Sequence, residues 1–419
     1  MVPLNFLFLI SVGCVVGWDW NVAMARAEEP RSVPYSLTEI VALAIERSPT
    51  IAGAHGAMKQ SQGQQIAAGA YPNPWISGSV GKGSIRDPST GVSIIERTVT
   101  VAKPLEWLGK RRARQQAADA GVAGASAGLE ETKLNLESEV KVAFYQLLLA
   151  QRDMDLTGQN LTMVEEVLRT VKLRVSAGEA TSFDTMKATV ELQKAQKDVA
   201  RAKNGLLVAK SRINTLTAGA LGRQFSITGD FQSSRPEMDQ DRLIAQALEQ
   251  HPVIRRLTKL TEQAEHTVKL EREARVPNVS VQGQYHREAG DESVTAGLSI
   301  PLPLWYRQQG EIETALGTKY RAEAERLRAQ NELEQAIMQN AQEVRTAQDQ
   351  LQVFESGLLK QAEQTLIVAR TSFRQGAASL LDVLDAQRVY RQTLLEYAQT
   401  RADLSVALVR LERAAGMPL

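Results

Sequence analysis

Apolar residues in this chain recur in two rhythms, and the change of rhythm marks its architecture. Over residues 161–175, Leu161, Val164, Leu168, Val171 and Val175 step by three and four. That is the narrow seam of a helix packed on other helices. Leu359, Ala362, Leu366, Ala369 and Phe373 form a second such seam. Over 279–300 the period falls to two. Val279, Val281, Gly283 and Tyr285 alternate with Ser280, Gln282, Gln284 and His286; Val294, Ala296, Leu298 and Ile300 alternate with Ser293, Thr295, Gly297 and Ser299. Such alternation predicts two strands, each with an apolar and a polar face. Trp75 to Lys82 and Ile94 to Val101 show it less cleanly.

These elements occur twice in one order: short helix, medium helix, two strands, very long helix, glycine break, medium helix. The stretch from Ile40 to Ile51 reappears as Leu243 to Ile254, with Ala44, Glu46, Pro49 and Ile51 matched, and Tyr71-Pro72-Asn73 reappears as Val276-Pro277-Asn278. The break from Gly178 to Asp184 reappears as Gly376 to Asp382, an offset of 198 from position 178 to position 376. Two tandem units are therefore expected after a leader at 1–27. Residues 28–238 hold a β-hairpin over 75–101 and a helical hairpin over 105–217; residues 239–419 hold a β-hairpin over 279–300 and a helical hairpin over 304–416. Residues 105–175 contain no proline, and at ~1.5 Å per residue such a helix is roughly 100 Å long. The returning arm over 180–217 is too short to match it, so the helix over 51–70 is expected to complete that arm by stacking end to end.

Each strand has about the ~9–11 residues that cross a bilayer at a tilt, and lipid cannot satisfy an open sheet edge. Four strands cannot close a barrel, so several chains must contribute to one. A soluble sheet alternates in the same way. The membrane is favoured by three features: an export signal, hairpins placed where helices of ~100 Å begin, and no other sequence to cover the apolar face.

Composition narrows the function. With 49 basic and 48 acidic residues the net charge is +1, which gives no reason to propose a nucleic acid partner. Leu4 to Gly17 is an apolar stretch followed by Ala25-Arg26-Ala27, the pattern of an export signal cleaved before Glu28. Ser11-Val12-Gly13-Cys14 offers a rival cleavage site with Cys14 lipidated, although Ser11 stands where a larger aliphatic is usual. No later segment offers the ~20 apolar residues of a membrane helix. His55, His251, His266 and His286 are scattered without HExxH or cysteine partners, and no phosphate loop or GxSxG is present. Neither an enzyme nor a metal or cofactor site is expected. His251, before Pro252, reads as a helix N-terminal residue. Lys110, Arg111, Arg112, Arg114 and Arg307 form either a basic collar at lipid head groups or an ordinary solvated face, the latter preferred.

With this order of elements, the paired glycine breaks and Asp382-Val383-Leu384-Asp385-Ala386, the chain resembles the TolC-like family of outer membrane efflux proteins over essentially its whole mature length. The resemblance implies an α+β membrane protein: two tandem repeats of long α-helical hairpins plus β-hairpins, assembled as a homotrimer. Its twelve-stranded outer membrane β-barrel continues into a periplasmic α-helical barrel, in a Gram-negative bacterium. Pro104-Leu105-Glu106-Trp107 with Gly109-Lys110-Arg111 resembles the branch exporting heavy-metal cations. Partners implied are outer membrane lipid, a periplasmic adaptor protein and an inner-membrane RND-type pump. The glycine breaks become hairpin tips that dock the adaptor, through Arg174, Ser176, Gly178, Ala180 and Thr181 and through Phe373, Gly376, Ala378 and Ser379. Asp382 and Asp385, sharing a helical face, match positions that line the periplasmic aperture, where like-charge repulsion is expected to raise their proton affinity. Phe373 and Ala378 stand where a tyrosine and an arginine often latch that aperture, which puts a latch of that type in doubt. A periplasmic coiled-coil adaptor or scaffold without a pore is the alternative.

Overall fold

The computed structural model describes residues 34–232 and 239–419; the expected leader and Cys14 lie outside the described residues. The described chain runs α1 (Leu37–Arg47), α2 (Pro49–Gly69), β1 (Trp75–Arg86), β2 (Ser93–Leu105), α3 (Leu108–Ser176) and α4 (Ser182–Leu216). It continues as α5 (Gln240–Gln250), α6 (Pro252–Glu273), β3 (Val279–Glu288), β4 (Asp291–Ser299) and α7 (Gln309–Val353). A π-helical turn, Phe354–Leu358, then leads into α8 (Leu359–Arg374), and α9 (Leu380–Ala415) follows. The very long helix is thus continuous in the first half and interrupted in the second.

The four strands form one antiparallel sheet in the order β1-β2-β3-β4, leaving β1 and β4 as open edges. Thr98 pairs with His286, Val99 with Tyr285 and Val281 with Leu298. Because successive side chains alternate between faces, one face carries Ser77, Ser79, Thr98, Thr100, Gln282, Gln284 and Thr295. The other carries Ile76, Val80, Val99, Val101, Val281, Tyr285, Val294 and Leu298, all exposed, Val294 to 81%. β2 runs past the expected position 101 to Leu105 because β3 pairs with it through Leu105–Val279. Pro104 is tolerated there because β1 ends opposite Ala102, so Pro104 has a strand on one side only.

The helices leave one end of this sheet. α3, at 69 residues, is roughly 100 Å long. Along its first half it packs against α2 and α6, and along its second against α4 and α9. α2 and α4 meet end to end where Ile51 and Ile213 share a core with Leu136, Val140 and Phe144, as the short returning arm requires. α1 seals that core through Ile40 and Ala44, and α5 seals its counterpart through Leu243 and Ala247, residues that the sequence repeat aligns. Both heptad seams are internal: Val164, Leu168 and Val171, and Ala362, Leu366 and Phe373, are buried.

One imidazole links the start of α6 to the end of α9. His251 Nδ1 accepts the Val253 N–H at 3.2 Å, capping α6, while Nε2 lies 3.0 Å from the Arg413 carbonyl at the end of α9. A carbonyl only accepts and a backbone N–H only donates, so both bonds require the neutral ring protonated at Nε2. Burial holds the His251 pKa below its ordinary value, opposed by the Arg413 hydrogen bond. The expectation of a helix N-terminal residue is met, with a second role added. Ser48 performs the capping alone between α1 and α2, accepting the Thr50 N–H.

Candidate functional site: the hairpin tips and their aperture face

Both tips are built from the same local chemistry. Gly178 and Gly376 sit at φ +78° and +79°, the left-handed region that side chains other than glycine rarely enter. At each, two backbone bonds close the preceding helix: Gly178 N–H to the Val175 carbonyl and Glu179 N–H to Arg174, then Gly376 N–H to Phe373 and Ala377 N–H to Ser372. This is the glycine-terminated helix end that satisfies the last carbonyls. Three residues on, Thr181 and Ser379 cap the returning helices, each in a reciprocal box with Asp184 or Asp382.

Asp382 also has a local role, in its own helix cap. Its Oδ2 accepts the Ser379 hydroxyl at 2.7 Å and the Ser379 N–H at 2.8 Å. These bonds hold its pKa below the ordinary carboxylate value. Within the single chain its proton affinity is lowered because donors from the cap stabilise the charged form. Asp184 is lowered by Thr181 in the same way. Asp385 instead pairs with Arg388 at 2.5 Å. Both Asp382 and Asp385 are exposed, whereas their neighbours Val383 and Ala386 are buried.

The tip residues divide into two groups. Ser176, Gly178, Thr181, Gly376 and Ser379 are exposed, and Ala180 and Ala378 are partly so. Phe373 is 6% exposed and belongs to the core of the tip with Val171, Leu380 and Val383, so it is not docking surface. Arg174 stacks over the Phe373 ring at 5.0 Å and donates to the Phe373 carbonyl at 3.2 Å, which ties the first hairpin to the second. Three further links join the hairpins: Arg370 to Glu166 at 3.0 Å, Gln387 to Asn160 at 2.9 Å and Arg391 to Asp198 at 3.3 Å. Sequence reasoning missed these four clasps. Their residues lie 193 to 227 positions apart, and such polar residues read as solvated helix face until the hairpins are paired.

Two further expectations change. Arg111 and Arg114 are neither a lipid collar nor a freely solvated face: they donate to the carbonyls of Ala68, Gly69 and Ala70, closing the end of α2 where a cation is also favoured by the helix dipole. Arg114 also pairs with Glu106, and Trp107 donates to Glu273 at 2.8 Å. A Cβ at Gly109 would collide with that glutamate, so the motif following β2 is a joint between sheet and helices. His286, read from sequence as without metal-binding partners, instead meets Glu96 and Glu288 on the polar face of the sheet.

The family model described as "Outer membrane efflux protein" matches residues 40–219 and 243–417. The cobalt-zinc-cadmium resistance protein CzcC of Cupriavidus metallidurans is 26% identical, over 91% of this chain and 90% of that protein. The nickel and cobalt resistance protein CnrC of the same organism is 24% identical over 77% of each, and the outer membrane protein TolC of Vibrio cholerae 23% over 68% of each. Among solved structures, CusC superposes with a TM-score of 0.77 at 16% identity, covering 91% of this chain and 92% of CusC, and the Campylobacter jejuni CmeC outer membrane channel with 0.77 at 18%, covering 91% and 85%. With both halves of the chain matched and the fold shared along nine-tenths of its length, the protein belongs to the TolC-like outer membrane efflux protein family.

Proposed function

We propose that three copies of this chain form the exit duct of a tripartite efflux system. They conduct substrate passively from an inner-membrane RND-type pump and a periplasmic adaptor to the exterior. The observation that carries this reading is the sheet: four strands with two open edges and an uncovered apolar face, mounted on helices roughly 100 Å long. An open edge and a bare apolar face are both costly in one chain alone. A closed twelve-stranded barrel in lipid removes both, turns the polar face inward and leaves the helices to cross the periplasm. The two tandem units, 28–238 and 239–419, then each supply one β-hairpin and one helical hairpin. Heavy-metal cations are the proposed cargo, because CzcC and CnrC carry metal resistance in their names. The exposed Ser176, Gly178, Thr181, Gly376 and Ser379 form the proposed adaptor surface, and Asp382 and Asp385 face the proposed aperture.

Conductance across a planar bilayer tests the duct directly. Purified trimer is expected to give discrete cation-preferring steps; a water-soluble protein that gives none sinks the proposal. Asp382→Ala with Asp385→Ala is expected to weaken cation preference by removing charge from the aperture. Unaltered selectivity removes those two residues from the mechanism.

A further inference from the structure

Far from the tips, at the end of the sheet remote from the helices, three ligand-bearing side chains meet on the polar face. Glu96 of β2 and His286 and Glu288 of β3 each present an atom, all within 4.8 Å of one another. The register produces this: Arg97 pairs with Arg287 and Thr98 with His286, so positions 96, 98, 286 and 288 project to one side and Glu96 stands across from Glu288. Asp291 of β4 pairs with Glu288 on the same face. Like charges directly across a sheet are destabilising, and Arg97 and Arg287 point to the opposite face. Among the described residues no lysine or arginine pairs with Glu96 or Glu288; the one ion-pair partner of Glu288 is His286, at 3.7 Å.

Two details show that the cluster is built. Glu288 is 8% exposed. Its Oε1 takes the Ile85 N–H at 2.8 Å, which orients the carboxylate and leaves Oε2 facing His286 Nε2 beyond hydrogen-bond reach. His286 Nδ1 lies 3.0 Å from the Thr98 hydroxyl. When that hydroxyl accepts the Nδ1 proton, the Nε2 lone pair points at two carboxylates. Three acceptors then converge with no donor between them, which is the arrangement of a metal site with its imidazole set by an outer hydrogen bond.

We propose that Glu96, His286 and Glu288 bind a divalent cation of the zinc and cobalt class. One imidazole and two carboxylates suit these borderline ions, with water completing the shell. Three ligands with open positions hold such an ion while letting it exchange. The inference deepens the duct reading and rests on it for one point, that the polar face lines the lumen; the site is then a station near the outer mouth, present three times in the trimer.

The test uses the full-length protein in detergent, titrated with Co2+ alone, with visible absorption and equilibrium dialysis as readouts. Saturable binding of one Co2+ per chain is expected, with the absorption of a nitrogen-ligated ion. His286→Asn and Glu96→Gln each weaken it at least about tenfold, as does Thr98→Val, which keeps all three ligands and removes only the outer bond. Glu332→Gln, on an exposed face of α7, leaves it unchanged. Non-saturable binding, or wild-type affinity in His286→Asn and Thr98→Val, overturns the site. Conductance in KCl, measured without metal, judges the duct separately. Conductance without saturable Co2+ binding overturns the site alone, whereas binding without conductance supports the site and overturns the duct.

Discussion

The two helical hairpins have matching tips and mismatched shafts. Between the tip turns the halves are related by 198 positions, and the lower seams keep that spacing: Val164, Leu168 and Val171 correspond to Ala362, Leu366 and Ala369. Above the π turn the core-facing positions correspond at 197. Leu136, Val140, Phe144 and Leu147 of α3 answer to Leu333, Ile337, Ala341 and Val344 of α7. The second shaft therefore contains one extra residue, and the turn over Phe354–Leu358 is where the backbone absorbs it. A single insertion in an α-helix would rotate everything beyond it by about 100°. The wider turn lets both seams keep their cores. Its location follows from packing: no residue of the π turn is buried, whereas the matching stretch of α3 buries Leu156 and Thr157. A shaft surrounded by α2, α4, α6 and α9 stays regular; one held by fewer neighbours accommodates the irregularity.

This difference can be broken deliberately. Deleting Gly158 from α3 should rotate one seam out of register and abolish folding, while deleting Gly357 should be tolerated as the π turn closes to an α turn. Recovery of folded protein after extraction checks both, and equal loss would refute the insertion account. Phe144→Ala should cost about 3–5 kcal/mol, read as a lowered denaturation midpoint, because it empties the first core. The converse change at the matching site, Ala341→Phe, overfills the second and should cost about 1–3 kcal/mol.

The helix junctions sharpen the contrast. His251→Ala removes both a cap and a bond to the next helix, and should cost about 1–3 kcal/mol; Ser48→Ala removes one cap, about 1 kcal/mol. His251 is held neutral, with its folded pKa depressed. Its contribution is complete above the unfolded value of about 6.5 and is lost as pH falls through the folded pKa. Wild type should therefore lose stability below about pH 6.5 more steeply than His251→Ala, and parallel pH profiles would exclude that role. Equally small effects are expected at the tips, where Thr181→Ala and Ser379→Ala should each cost about 1 kcal/mol. Near-equal values support matched tips, and hydrogen exchange of the first turns of α4 and α9 measures them.

Much of this molecule is readable along the chain. Glycine followed three residues later by Thr181 or Ser379, then three later by Asp184 or Asp382, specifies a helix end and a helix start from neighbours within one turn. The strand alternation at Val279 to Tyr285 is equally local, and it locates the sheet and its two faces. The candidate site was less legible. Phe373 lies beside a glycine turn and so reads as tip surface, yet the first hairpin covers it. Asp382 reads as aperture charge, yet its nearest donors belong to its own cap.

What neighbours within a helical turn or a strand pair can accomplish is legible in the residues: turns, caps, periodicity, two tandem halves and too few strands to close. What depends on which distant segments meet required the folded chain. Arg174 clasping Phe373, His251 joining two helices, the π turn and the union of Glu96 with His286 and Glu288 all arise between residues far apart in sequence or from packing around them. The physical reason is that a local hydrogen bond carries its geometry in the spacing of its partners, whereas a long-range contact inherits its geometry from every element packed between them.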